Sequence, residues 1–191
     1  RWSGRLVALE SGRQAANVSI AMSEGRYRLS GPVALIGPAV GIGRQLGVAS
    51  AKIDADFTFR DRIWRGTAGA SARGLRIGAE GGADLGRNRF EDLVLDLRLA
   101  SITTLTKGAE GRNAALKLRL SGPFDNFGIE YLLTAPDLRQ GKTALLGLRA
   151  IGKGRVVKGE TILPLRLTAK SLALGAPPID ERLRDIVADG R

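Results

Sequence analysis

The side chains suited to acid or base work are carboxylates: Asp54 and Asp56 stand two apart on one face of any strand that holds them, and Asp92 with Asp96 makes a second set. Their company argues against catalysis. Lys52, Arg60 and Arg98 fall on the same faces, so ordinary cross-strand charge pairing accounts for the acids. Asp125, Asn126 and Glu130 bring oxygen ligands together without the ligand spacing of a calcium loop. The run Gly41-Ile42-Gly43-Arg44-Gln45-Leu46-Gly47 resembles a phosphate loop, but it reads GxGxxxG rather than GxGxxG, and no acidic residue follows a second buried parallel strand. A flexible turn is the expectation there. The glycosylation triplet Asn17-Val18-Ser19 lies inside an expected strand and carries no weight.

The chain has no cysteine and no histidine. Disulfides and thiolate metal sites are thereby excluded, and the commonest metal ligand and general base are missing together. These residues predict a surface rather than a reaction centre: no enzyme, no metal and no cofactor.

The elements that make that surface are strands. From Ala49 to Arg60 one face reads Ala49, Ala51, Ile53, Ala55, Phe57, Phe59 and the other Ser50, Lys52, Asp54, Asp56, Thr58, Arg60. A period of two is that of a half-buried strand. The pattern recurs in Leu93, Leu95, Leu97 and Leu99; in Leu116, Leu118 and Leu120; in Phe127, Ile129, Tyr131 and Leu133; and in Leu163, Leu165 and Leu167. Fully burying one large aliphatic side chain contributes roughly 1.5–3 kcal/mol, so such a face requires a cover. Pro164 cannot donate to a ladder and suits an edge strand or a rim.

Turn signals follow at intervals of about ten to fifteen residues, the spacing of an all-β meander. They are Ser11-Gly12, Ser23-Glu24-Gly25, Ser30-Gly31-Pro32, Asp61-Arg62, Gly81-Gly82, Gly86-Arg87-Asn88, Ala109-Glu110-Gly111, Ser121-Gly122-Pro123, Gly141-Lys142 and Gly152-Lys153-Gly154. Arg28-Leu29-Ser30-Gly31-Pro32 recurs as Arg119-Leu120-Ser121-Gly122-Pro123, which suggests a repeated strand-turn-strand unit, with copies around 25–110 and 111–191. One segment has helical spacing: after Pro177-Pro178, Ile179, Leu183, Ile186 and Val187 fall at i, i+4, i+7 and i+8, with Gly190 as a stop. A second short helix or a loop is expected in Pro38 to Gly47. One short helix cannot cover five or more strands.

The 191 residues suffice for one domain or for a slab of something longer, and a start at Arg1 reads as a fragment of a larger protein. No stretch approaches the roughly 18 apolar residues of a membrane-crossing helix, and the first residues lack the layout of a signal peptide. The net charge of +11 raises nucleic acid or anionic lipid as partners. The basic residues are spread along strands and not interleaved with aromatics, so a solvated outer face is the expectation and nucleic acid is not. An apolar face of this kind either meets its own sheet about 10 Å away in a sandwich or lines an open trough completed by a ligand.

The alternating strands, together with "LSGPFDNFGIEYLLTAPDL" (120–138) and "LRLTAKSLALGAPPIDERLRDI" (165–186), resemble the periplasmic repeats of bacterial AsmA-like proteins. The similarity is nearest to the YdbH branch, also labelled a dicarboxylate transport domain, with TamB more distant, and it extends from about Gly25 onward. It implies an all-β fold: an elongated, twisted antiparallel sheet curled into a groove, with the short C-terminal helix added. It implies phospholipid as ligand, carried across the periplasm between inner and outer membrane with its acyl chains shielded. The anchor to the inner membrane would lie outside these residues, and a small envelope protein would be a further partner. On that resemblance the groove lining is Ile53, Phe57, Phe59, Leu93, Leu95, Leu97, Leu99, Leu116, Leu118, Leu120, Ile129, Tyr131, Leu133, Leu163, Leu165 and Leu167. The other expectation is a structural β-sandwich module supporting outer-membrane protein assembly.

Overall fold

The computed structural model describes residues 1–10, 13–35, 49–102, 108–176, 180 and 183–190. Strands take up nearly all of them, in the order β1 (Trp2–Glu10), β2 (Arg13–Ser23), β3 (Arg26–Ala34), β4 (Ser50–Arg60), β5 (Ile63–Ala72), β6 (Leu75–Asp84), β7 (Arg89–Ser101), β8 (Ala109–Pro123), β9 (Asn126–Gln140), β10 (Thr143–Val157), β11 (Glu160–Ile162), β12 (Leu165–Ala173) and β13 (Arg184–Gly190). They form one 13-stranded antiparallel meander that curls without closing, with β1 and β13 at its ends.

β11 and β12 keep a common register on β10, with Ile162 opposite Arg155 and Arg166 opposite Ile151. They are one strand interrupted at Leu163-Pro164, where proline has no N–H to give. β13 covers β12 from Leu165 to Ser171, so the proline sits where the strand becomes a free edge, as its chemistry suggested.

Several hairpins close on two residues. Glu24-Gly25 (φ 52° and 77°), Asp61-Arg62 (52° and 63°) and Lys158-Gly159 (49° and 88°) are left-handed at both positions. That is the type I′ turn, whose twist matches the right-handed twist of the strands it joins. The longer loop after β6 is held by Asp84, whose Oδ1 accepts the N–H groups of Gly86 (2.9 Å) and Arg87 (2.8 Å) while the residue is 3% exposed. Neighbouring turns are laced together by Leu85 N–H to Arg62 O, Phe124 N–H to Asn88 O and Lys158 N–H to Asp125 O.

Several expected turns are strand instead. Ser30-Gly31-Pro32 lies within β3, Gly81-Gly82 within β6, Ala109-Glu110-Gly111 and Ser121-Gly122-Pro123 within β8, and Gly152-Lys153-Gly154 within β10. The physical reason is clear at Gly152. The Tyr131 ring of β9 lies over it, so a Cβ there would stand 2.5 Å from Tyr131 Cε1, and the Tyr131 hydroxyl reaches on to donate to Pro164 O (2.9 Å). The expected helix does not continue through Ile186 and Val187, because Arg184–Gly190 is strand β13; Asp180 is helical, and Pro177, Pro178, Ile179, Glu181 and Arg182 lie outside the described residues. Pairing satisfies the open edge of β12, which a helix would have left bare. The segment before it turns on Asp180, whose carboxylate accepts the N–H groups of Leu174, Gly175 and Ala176. Ser11-Gly12 and Pro38 to Gly47, with its glycine run, lie outside the described residues. No helix among the described residues is long and apolar enough to cross a membrane.

The sheet is a single layer. Every substantial contact between elements joins hydrogen-bonded neighbours. The accessible surface is 13048 Å² for 20.2 kDa, against about 8,800 Å² for a compact monomer of that mass. Among the described residues no side chain is less than 2% exposed; the least exposed apolar residues include Val18, Leu99, Leu120, Ala135, Leu148, Ala150 and Ala169.

Candidate functional site

Residues paired across strands share a face, so the ladder registers show which side chains stand together. One row runs Gly31, Ile53, Ala70, Ile77, Leu97, Leu116, Leu133, Ala150, Leu167, Ala188 from β3 to β13. The next runs Gly4, Ile20, Leu29, Ala55, Ala68, Ala79, Leu95, Leu118, Tyr131, Gly152. A third begins Trp2, Met22, Tyr27, Phe57, Gly66, Gly81 and continues, beyond a bulge, as Leu93, Leu120, Ile129, Gly154. Leu75, Leu99 and Ala114 belong to a fourth row, and Phe59, Trp64, Ala83 and Phe90 to a fifth. None of these positions is charged, so an apolar band several residues wide crosses the sheet.

The bulge keeps the band in phase. On β7, Glu80–Val94 and Gly82–Glu91 leave two residues, Asp92 and Leu93, opposite Gly81 alone. Asp92 takes the extra step at φ 51°, and Phe90 and Leu93, three apart in sequence, point to one face.

The structure brings the expected lining residues together on this face: Ile53, Phe57, Phe59, Leu93, Leu95, Leu97, Leu99, Leu116, Leu118, Leu120, Ile129, Tyr131, Leu133 and Leu167 are in the rows above, and Leu165 shares the side of Leu167 by alternation. Leu163 lies in the break between β11 and β12. Leu6, Ile20, Met22, Tyr27, Leu29, Trp64, Ile77, Phe90 and Leu148 were missed. Their strands mix small and polar residues, and only the partner strand reveals their phase.

Two flanks of the band differ. On the side of the turns at 24–25, 61–62, 85–88 and 124–125 lie the chain's aromatic rings. Tyr27 stacks on Phe57 (5.4 Å between centroids), Phe57 meets Trp64 (6.3 Å), and Phe90 meets Phe124 (4.7 Å) and Phe127 (5.2 Å). On the other side the ladders break at one level. Ala100, Asn113, Pro136, Gly147, Lys170 and Asp185 face one another from β7 to β13 without regular pairing. Asn113 (57°), Gly147 (63°) and Asp185 (52°) are left-handed there. The strands are creased along this line.

The opposite face carries the charges. Asp56 accepts Arg26 Nε (2.6 Å) and Nη2 (2.8 Å) and Arg28 Nε (3.0 Å); Asp54 accepts the Ser30 hydroxyl (2.5 Å) and lies 3.4 Å from Lys52 Nζ. Those hydrogen bonds hold both carboxyls below their ordinary range, Asp56 chiefly through Arg26 and Asp54 chiefly through Ser30. Glu130 is lowered by Lys153 at 2.7 Å. Arg65 pairs with Glu91 (2.6 Å), and Arg98 with Asp96 (2.8 Å). The acids that opened the sequence reading are thus engaged in surface pairs or, for Asp92, in the bulge. No group of His, Cys, Asp or Glu among the described residues is disposed to hold a metal. The chain matches no family model, no curated protein and no solved structure.

Proposed function

We propose that this chain is a section of an apolar β-groove that carries phospholipid across the periplasm between inner and outer membrane, without chemistry, as part of an AsmA-like assembly anchored by a segment outside these residues. The observation that carries the reading is the uncovered band: uncharged rows cross the sheet, and no second layer among the described residues lies on them. Leu97 (37% exposed) and Ile77 (40%) stand in the row that runs to Ala188, with room for further burial. An acyl chain laid along it covers such side chains, and each buried CH₂ contributes about 0.8 kcal/mol. The headgroup stays in water.

The test is lipid capture. Photo-crosslinking residues at Leu97 and Leu118 are expected to trap phospholipid in cells, and lipid is expected in extracts of the purified protein by mass spectrometry. Purified protein free of lipid, with no lipid adduct at either position, ends the reading. A protein-interaction module is the second reading, and it is favoured by β1, which among the described residues pairs on one side only and exposes Leu6 and Val7 (53% each) and Leu9 (68%). It is distinguished by protein adducts at Leu6 in place of lipid adducts at Leu118.

A further inference from the structure

We infer that the crease holds a binding site for a phosphate-bearing anion on the polar face, opposite the apolar band. A depression of about 690 Å³ opens there, lined by Ser71, Arg76, Arg98, Asn113, Lys117 and Thr134 among others. The crease borders it, because Ala100 and Asn113 also form its wall, together with Gly74 of the turn between β5 and β6.

Its charge is unbalanced. Arg76 stands directly opposite Arg98, and Lys117 directly opposite Asp96. Asp96 is the one carboxylate in the wall, and it is spent on its own strand, with Oδ1 accepting Arg98 Nε at 2.8 Å and Oδ2 accepting Nη2 at 3.4 Å. Arg76 and Lys117 form no ion pair among the described residues. Arg149 stands in the same row as Arg76 and Arg98, on β10, beyond the uncharged Ala115 and Thr134.

Like charges placed directly across a ladder destabilise it. A dianionic or monoanionic phosphate beside Arg76 accepts its planar guanidinium N–H pair, a geometry that suits phosphate better than a spherical anion, and offsets the repulsion that Asp96 leaves between Arg76 and Arg98; Arg98 adds only the N–H groups that Asp96 does not hold. The Lys117 ammonium adds a point charge, and the Ser71 and Thr134 hydroxyls and the Asn113 amide supply neutral donors. The phosphate belongs to a lipid headgroup or to a free solute. Its charged groups stand on the face opposite the apolar band, although Leu75, Leu99 and Leu116 of the band also reach its wall; the proposal does not require that band to carry lipid.

The experiment is an NMR titration of the isotope-labelled chain with inorganic phosphate replacing chloride at fixed ionic strength, since exposed charge interactions are screened by salt. Saturable shifts are expected at the Arg76 and Arg98 side-chain N–H groups and at the amides of Asn113 and Lys117. Binding is expected to weaken about tenfold in Arg76→Gln and again in Lys117→Gln. Arg155→Gln, which removes the same charge elsewhere, is expected to leave it unchanged. A second arm measures sedimentation with phosphatidylcholine vesicles with and without phosphatidylglycerol. Loss of phosphatidylglycerol-dependent sedimentation in Arg76→Gln assigns the site to headgroups, and saturable phosphate binding without it assigns the site to a free phosphate. Shifts that grow without saturating, or that fall equally in Arg155→Gln, overturn the proposal.

Discussion

The two flanks of the apolar band solve one problem in different ways. Along the aromatic flank, rings meet across neighbouring strands, from Tyr27 through Phe57 to Trp64 and from Phe90 to Phe124 and Phe127, and the Phe57 backbone lies close against Gly66, which has no room for a Cβ. Along the crease flank, small and aliphatic residues line the band, and left-handed Asn113, Gly147 and Asp185 interrupt the ladders. A single-layer sheet cannot be held by a second layer, so its curvature is set locally. Ring–ring contacts between strands stiffen one margin, and a line of irregular residues bends the other.

The largest expected effect breaks the aromatic flank. Gly66 has φ 153°, and a Cβ there would stand 2.5 Å from Phe57 Cα and against Asp56 O. Gly66→Val is expected to lose about 3 kcal/mol or more, from backbone strain and displacement of Phe57, read as a lower urea midpoint. A loss below about 1 kcal/mol, on the scale of an ordinary surface change, would show that the flank yields where its geometry says it is rigid. On the crease flank, Leu99 is 4% exposed while its strand neighbour Leu97 is 37% exposed. Leu99→Ala is expected to cost about 2–3 kcal/mol and Leu97→Ala about 1 kcal/mol. Lipid capture should respond in the reverse order, Leu97→Ala weakening it more. Equal stability losses would mean that Leu97 is covered by protein.

The parts of this arrangement that the sequence showed are those where a single strand carries the information. Leu95 to Leu99 and Leu116 to Leu120 alternate with charges, and Leu93 keeps their period across Val94, so both their strand and their face were legible. β5 and β6 put mostly Gly and Ala on the apolar face, which gives that face little hydrophobic signal, and Gly81-Gly82 read as a turn. The C-terminal segment failed for a different reason. Ile186 and Val187 suit a helical stripe, but in β13 they point to opposite faces, toward Ala169 and Thr168; the bare edge of β12 decided between the two, and it is invisible in local spacing. The crease was unreadable because Asn113 and Asp185 carry no glycine signature.

The smallest expected effect concerns the charged face that accompanies the aromatic flank. Asp56 stands next to Ala55 at the centre of β4 and binds Arg26 and Arg28 behind the Tyr27–Phe57 stack. Its carboxyl is held below its ordinary value of 3.8. A depressed carboxylate contributes stability that is present above the unfolded-state value and is lost as pH falls through the lower folded value. Stability at neutral pH therefore changes little in Asp56→Asn, since the pair is exposed and screened by solvent. The part of the acid-induced loss that occurs below the ordinary carboxylate range should shrink in that variant, read as urea midpoints at descending pH. Asp96→Asn is the comparison on the crease flank. Its removal releases Arg98 beside Arg76, so it should lower stability at neutral pH as well. Identical pH profiles for the two variants would mean that the flanks share one electrostatic character, and that the repulsion at the crease is already relieved.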